Sequence, residues 1–143
     1  MIKVIAEIGI NHESSVDIAK KLIDSAEISN CWAVKFQYRS FHNFYGSTNE
    51  IGDELIYDQL NMAYLSLKDI AELTLYAKKK KLKVGISFFT IEDFNEITST
   101  KINFDFYKIP SAEFSNSKLV ERAKSTGKLL LLSTGGHTYK QIK

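Results

Sequence analysis

The sequence predicts an α/β fold in which a parallel sheet is joined by helical crossovers. Short apolar runs of strand length alternate with longer stretches whose apolar residues recur at helical spacing. That strand-then-helix order is kept from the first residues to the last, the pattern of a parallel sheet covered by helices. No linker or low-complexity tract divides the 143 residues, so they read as one domain. A chain of about this size hides roughly 70% of its unfolded surface on folding.

Residues 3–9 are the first buried-strand run. Asn11 to Ser15 make a turn, and Ser15 is placed to cap the helix that follows. That helix carries Val16, Ile18, Ala19, Leu22, Ile23 and Ala26 on one face and Lys20, Lys21 and Asp24 on the other, and Ser29-Asn30 ends it. Residues 33–37 are the second strand. Residues 38–61 are the least regular part: Phe41, Phe44 and Tyr45 mark a loop that packs, Gly46, Asn49, Gly52 and Asp53 supply turns, and Glu54 to Ala63 form a short helix. Ser66 with Asp69 resembles a capping box that opens a helix to about Lys81, with Ile70, Leu73, Leu75, Tyr76 and Ala77 as its apolar positions. Leu82 to Phe89 is the third strand, and Thr90 or Ile91 begins a short helix through about Ile97. Phe104 to Ile109 is the fourth strand. The helix from Asn116 to Ser125 stops at Thr126-Gly127, and Leu129 to Leu132 is the fifth strand. Thr138 to Lys143 opens one more helix.

Bulk properties exclude several classes. A net charge of +2 is too small to argue for nucleic acid or a membrane surface as partner. The basic run Lys78 to Lys81 with Lys83 reads as the solvated end of a helix, where cations complement the carbonyl end of the dipole. Cys31 is alone, which leaves no disulfide framework and no thiolate zinc site, and beside Trp32 it reads as packing. No signal peptide and no apolar run of membrane-spanning length is present, so a cytoplasmic location is the expectation.

In parallel α/β folds the chemistry gathers at the carboxyl ends of the strands. Here those ends read Glu7 to His12, Lys35 with Gln37, Ser87 to Thr90, Lys108 with Ser111 and Glu113, and Ser133 to Gly136. A carboxylate inside an apolar run is costly unless paired. Two lysines in or at the end of apolar strands make sense if an anion lies between them. Hydroxyls of Ser111, Ser133 and Thr134 and amides near Gly135-Gly136 can bind phosphate oxygens at the same rim. Each residue also has a plain structural role open to it. Lys35 can reach solvent along its stem or pair with Glu7, Lys108 can pair with a neighbouring acid, and Ser133 to Gly135 can be only a strand-to-helix turn. His12 in a turn is more often structural than a ligand, and neither His42 nor His137 has metal-triad spacing with it.

Four stretches in order carry a resemblance to a known family: Ala6-Glu7-Ile8-Gly9-Ile10-Asn11-His12, Ala33-Val34-Lys35-Phe36-Gln37, Tyr107-Lys108-Ile109-Pro110-Ser111-Ala112-Glu113 and Leu132-Ser133-Thr134-Gly135. They resemble successive motifs of the sialic acid (N-acetylneuraminate) synthases and their spore-coat polysaccharide relatives, and the long segment from Ser40 to Leu65 suits that family too. The resemblance implies a partial (β/α)8 TIM barrel, about the first five βα units, covering residues 1–143 without the family's C-terminal antifreeze-like domain. It implies condensation of phosphoenolpyruvate with N-acetylmannosamine or a related N-acetylhexosamine to a nonulosonic acid and phosphate. By the same resemblance Lys35, Lys108, Ser111 and Ser133 hold the phosphoenolpyruvate carboxylate and phosphate, Glu7 is catalytic over the reacting carbons, and Gln37 and Glu113 are secondary substrate contacts. A divalent metal, Mn or Mg, is implied for the full-length family, with ligands on later strands and none assigned in this chain. A homodimer is implied at full length, or a complementing C-terminal half as partner.

The sequence departs from the family at two places of consequence. The family has STPF where this chain has Ser87-Phe88-Phe89-Thr90, so Phe88 takes the position of a threonine that contacts phosphoenolpyruvate. Either Ser87 or Thr90 supplies the hydroxyl, or the phosphate site is damaged. A full barrel takes about 250 residues, so the chain is expected to be a fragment, a split or truncated product, or a half barrel completed by a partner, and inactive in the condensation alone. Two other classes remain open: a non-catalytic remnant or half-barrel assembly module, and a small flavodoxin-like anion-binding domain.

Overall fold

The computed structural model describes residues 2–40 and 62–143. Five strands alternate with helices: β1 (Ile5–Gly9), α1 (Val16–Ile28), β2 (Ala33–Gln37), α2 (Leu67–Lys79), β3 (Lys83–Ser87), α3 (Ile91–Ser99), β4 (Phe106–Ile109), a single 3-10 turn (Ser111–Glu113), α4 (Ser117–Lys124), β5 (Leu129–Leu132) and α5 (Tyr139–Ile142). β1, β3 and β4 are shorter than their apolar runs, because the flanking residues fall outside the ladder. The expected loop with Phe41, Phe44 and Tyr45, its turn glycines and the helix from Glu54 as far as residue 61 lie outside the described residues, and Met62 and Ala63, expected to end that helix, form a turn.

Local chemistry sets the helix boundaries. The Ser15 hydroxyl accepts from the Ile18 N–H, Thr90 Oγ1 from the Asp93 N–H, and Asn116 Oδ1 from the Leu119 N–H. Ser66 and Asp69 form a complete capping box at α2, satisfying two backbone donors that the helix leaves open. At the other ends Asn30 and Gly127 take positive φ, the left-handed stop that frees the chain to turn into the next strand.

The sheet is wholly parallel in the order β1-β2-β3-β4-β5. A flavodoxin-like parallel sheet reverses its direction of winding after the second strand, placing the third on the other side of the first. Here it never reverses, so that alternative is excluded, and the strands are wound as in the first part of a barrel. The ladder register sorts side chains by face. Val34, Phe36, Val84, Ile86, Tyr107 and Ile109 face the helices and join Ile23, Ile70, Leu73, Phe94, Ile97 and Leu119 in one core. Leu75 does not join it: it is 64% exposed, on the outward side of α2. Among the described residues no helix is long and apolar enough to cross a membrane.

The opposite face is the inner face of the barrel wall. Glu7, Lys35, Gly85, Phe106 and Leu129 form one rung across it; Gln37, Ser87, Lys108 and Leu131 form the next, nearer the carboxyl ends. Phe106 lies across Gly85, which has no Cβ to obstruct it, and stacks on Trp32 at 5.6 Å between ring centroids. This aromatic pair is the floor beneath the polar groups.

Candidate functional site

β1 and β2 run side by side with Glu7 opposite Lys35. The Lys35 ammonium is 2.6 Å from Glu7 Oε2 and donates to Ser87 Oγ at 2.7 Å. Lys35 is 6% exposed and held from two sides, so it does not reach to solvent along its stem. Glu7 is not buried as its apolar surroundings in sequence suggest: its side chain is 46% exposed, because the inner face is open above it. Burial lowers the Lys35 pKa, and the Glu7 carboxylate opposes that shift.

Lys108 sits on the second rung, register partner of Ser87. It is half-buried, and among the described residues its ammonium has no hydrogen bond or ion pair. Burial first, and then repulsion from Lys35, lowers its pKa; Glu7 partly offsets this. Two cations and one carboxylate thus share the centre of the site. A desolvated lysine pushed by another lysine, with no acid paired to it among the described residues, is a group that an added anion would stabilise.

Gln37 extends the same face, where its amide and the Glu7 carboxylate enclose Gly9. A Cβ on Gly9 would meet Glu7 Oε1 at 2.8 Å and Gln37 Nε2 at 3.1 Å, and φ there is +43°. Glycine lets β1 end without disturbing either group. Beyond it the chain turns through Glu13 and Ser14, both at positive φ, around His12. The His12 ring is buried; Nδ1 accepts from the Ser14 N–H at 3.2 Å, and the ring also bonds the Gly9 carbonyl. His12 is therefore a pin for the turn.

The remaining expected residues divide. Ser111 stands on the 3-10 turn after β4, its hydroxyl 3.5 Å from where a Gly135 Cβ would be, so the loops after β4 and β5 meet. Ser133 follows β5, its N–H donating to the Ile109 carbonyl at 3.1 Å. No described contact joins Ser111 or Ser133 to either lysine. Glu113 Oε2 accepts from Asn116 Nδ2 at 2.9 Å, tying it to the capping residue of α4. Of the hydroxyl candidates on β3, Ser87 faces the site. Phe88 points the other way, fully buried against Phe94 and Tyr107, and the Thr90 hydroxyl is spent on the cap of α3. Phe88 therefore does not intrude on the lysines.

Arg39 is a further cation near this rim that the sequence pattern does not single out. Its guanidinium lies 3.8 Å from the centre of the Phe89 ring, and Asp93 and Glu113 are near enough to oppose the lowering of its pKa by burial. A signal for it does exist: Lys35, Gln37 and Arg39 share one parity, and the Tyr38 N–H still bonds the Ser87 carbonyl past the end of β2.

The described side chains do not compose a metal site. No group of three or more His, Cys, Asp or Glu among them is placed to hold an ion. The His12 ring is engaged as above, and His137 has Nδ1 3.0 Å from the Gly135 carbonyl and Nε2 3.3 Å from Ser115 Oγ.

Singly wound parallel strands, with two lysines and a carboxylate gathered toward their carboxyl ends, define the class: the leading part of an α/β barrel. The NeuB family model matches residues 22–143, and the chain belongs to that family. It is 30% identical to the N,N'-diacetyllegionaminic acid synthase of Campylobacter jejuni, over 92% of this chain and 42% of the relative. It is 29% identical to the N-acetylneuraminate-9-phosphate synthase of Drosophila melanogaster, over 98% of this chain and 39% of that one. Among solved structures, the N-acetylneuraminic acid synthetase of Leptospira borgpetersenii, crystallised with citrate, superposes with a TM-score of 0.85 at 25% identity, over 99% of this chain and 47% of its own. The chain thus spans less than half the length of these relatives.

Proposed function

We propose that this chain supplies the phosphoenolpyruvate-binding half of a nonulosonate synthase active site. The observation that carries the reading is Lys108, unpaired among the described residues, beside the Glu7–Lys35–Ser87 cluster. A small molecule bearing a carboxylate and a phosphate accounts for two desolvated lysines on adjacent rungs better than any single charge. Lys35 and Lys108 hold the two anionic groups, with hydroxyls from Ser87, Ser111 and Ser133 around them. Gln37 and Glu113 border the acceptor, an N-acetylhexosamine such as N-acetylmannosamine.

In the reaction the methylene carbon of phosphoenolpyruvate forms a bond to the aldehyde carbon of the sugar, whose oxygen takes up a proton. Water adds at the carbon that carried the phosphate, and the carbon–oxygen bond to phosphate breaks. The open-faced Glu7 carboxylate, fixed by Lys35, lies where it can stabilise positive charge on that carbon or take the proton from the incoming water. The divalent ion the family resemblance implies would be held by residues beyond those described, and would polarise the sugar aldehyde as a Lewis acid.

The edges of the sheet favour completion by further strands. Val4 beside β1 and Leu129 and Leu132 on β5 are exposed, an apolar edge that a parallel sheet normally covers. The condensation accordingly requires the rest of the barrel, whether from the same polypeptide or a complementing chain.

Titration calorimetry with phosphoenolpyruvate tests the binding half directly. Saturable binding to this chain, weakened about tenfold or more by Lys108→Ala or Lys35→Ala, is the expected result, since a charge-assisted hydrogen bond contributes roughly 1.5–3 kcal/mol. Binding that neither substitution weakens would refute the assignment.

A further inference from the structure

Away from the rim, on the helical side of the sheet, α1 packs on α2 and α3 packs on α4, and a groove lies between α2 and the loop that follows α3. Its volume is about 420 Å³, within the range of small-ligand pockets. One wall is a stripe of α2, Leu67, Ala71, Thr74, Leu75 and Lys78, and the other is the loop Thr100 to Asn103 that leads into β4. Helical spacing keeps that stripe on one side for roughly 16 Å.

Three features say what fits. The lining is mainly aliphatic, and Leu75 stands on it 64% exposed where a helix of this kind normally shows a polar residue. The charges around it are of one sign: Lys68, Lys78 and Lys101 line the groove, and no carboxylate among the described residues does. Lys68 and Lys101 have no ion pair among the described residues, and Lys78 has only Asp105 at 3.7 Å, an acid that Lys83 also holds at 3.0 Å. Thr74 is 2% exposed with its hydroxyl closed off, so the wall behind Ala71 and Leu75 presents a ligand with no accessible hydroxyl.

We infer that this groove is a binding site for a small amphipathic organic anion, its apolar body against Ala71, Leu75 and Ile102 and its acid group between the lysines. The site is separate from the inner-face cluster and does not rest on the function proposed for that cluster.

Anilinonaphthalene sulfonate is a suitable probe, because its fluorescence reports an apolar contact and its sulfonate supplies the charge. The full chain should bind it with saturation, and amide chemical shifts should move at Ala71, Leu75 and Ile102. Lys68→Ala and Lys101→Ala should each weaken binding about two- to fivefold, the range for a partly exposed charge pair. Leu75→Glu, at an exposed position that does not endanger folding, should abolish it, as should filling the groove with Ala71→Trp in a variant shown to keep its circular dichroism and melting transition. Shifts confined to the inner face around Trp32 and Leu131, or affinity unchanged in Leu75→Glu and the lysine variants, would overturn the proposal. So would equal affinity for the uncharged anilinonaphthalene.

Discussion

Replacing Gly85 with alanine tests the floor of the site without touching a charged group. The new methyl carbon would lie 2.1 Å from Phe106 Cε2 and 2.2 Å from Cζ. Non-bonded carbons rest at about 3.5–4.0 Å, so the ring must retreat by more than roughly 1 Å. It has no easy way to do so: Phe106 is completely buried and Trp32 is stacked on it. Overpacking of this kind costs about 1–3 kcal/mol, and a clash with a whole ring in a closed position belongs at the upper end. At about 2.1 cal/mol/K per residue, unfolding of a domain this long carries an entropy near 0.3 kcal/mol/K, so about 2.5 kcal/mol lowers Tm by about 8 °C. Urea unfolding of four proteins, the parent, Gly85→Ala, Phe106→Leu and the double variant, measures the cost and its origin. In the Phe106→Leu background the glycine substitution should cost at least about 1 kcal/mol less than in the parent, a coupling typical of residues in contact. A Gly85→Ala protein within about 0.5 kcal/mol of the parent, or costs that simply add, would refute the close packing of Phe106 of β4 over Gly85 of β3.

Phosphoenolpyruvate affinity should fall as pH rises through the lowered pKa of Lys108, below the ordinary lysine value, because the neutral amine cannot pair with the anion; calorimetry across that range checks it, and a flat profile counts against Lys108 as a ligand. His12 is held below its usual 6.5 by burial, opposed by its bond to Gly9. The unfolded chain therefore takes the proton first. The contribution of His12 to stability is complete above about pH 6.5 and is lost as pH falls toward the folded value. Urea midpoints at neutral and mildly acid pH should show a drop that is smaller in His12→Asn, which keeps an acceptor for the Ser14 N–H. Ser66→Ala removes the capping box of α2 and should cost about 1 kcal/mol by the same urea assay.

Much of the architecture is local in origin and is legible residue by residue. Ser15, Ser66, Thr90 and Asn116 cap helices because their side chains answer backbone donors three residues on, information contained in a few adjacent positions. β2 and β5 occupy the residues expected from their apolar runs. The inner-face parity of Lys35 and Gln37 follows from the period of a strand. The direction of Phe88 and Ser87 follows from the same period, but it becomes decisive only when the neighbours show which face is the site.

The alternation of strands and helices, their caps, and the set of polar groups carried to one end of the sheet can all be read from the order of residues. Those depend on spacing along the chain, which is all a sequence records. The tertiary structure decided the rest: strand order that excludes a flavodoxin-like winding, the pairing of Glu7 with Lys35 and not with Lys108, the use of the Thr90 hydroxyl as a cap, and the exposure of Leu75 on a groove. Each of these is fixed by residues far apart in the chain. Lys35 and Ser87, and Gly85 and Phe106, meet only because neighbouring strands lie in one register. Which partner a charge finds is set by that register and by the water it excludes, and neither is written in the spacing of the residues that carry it.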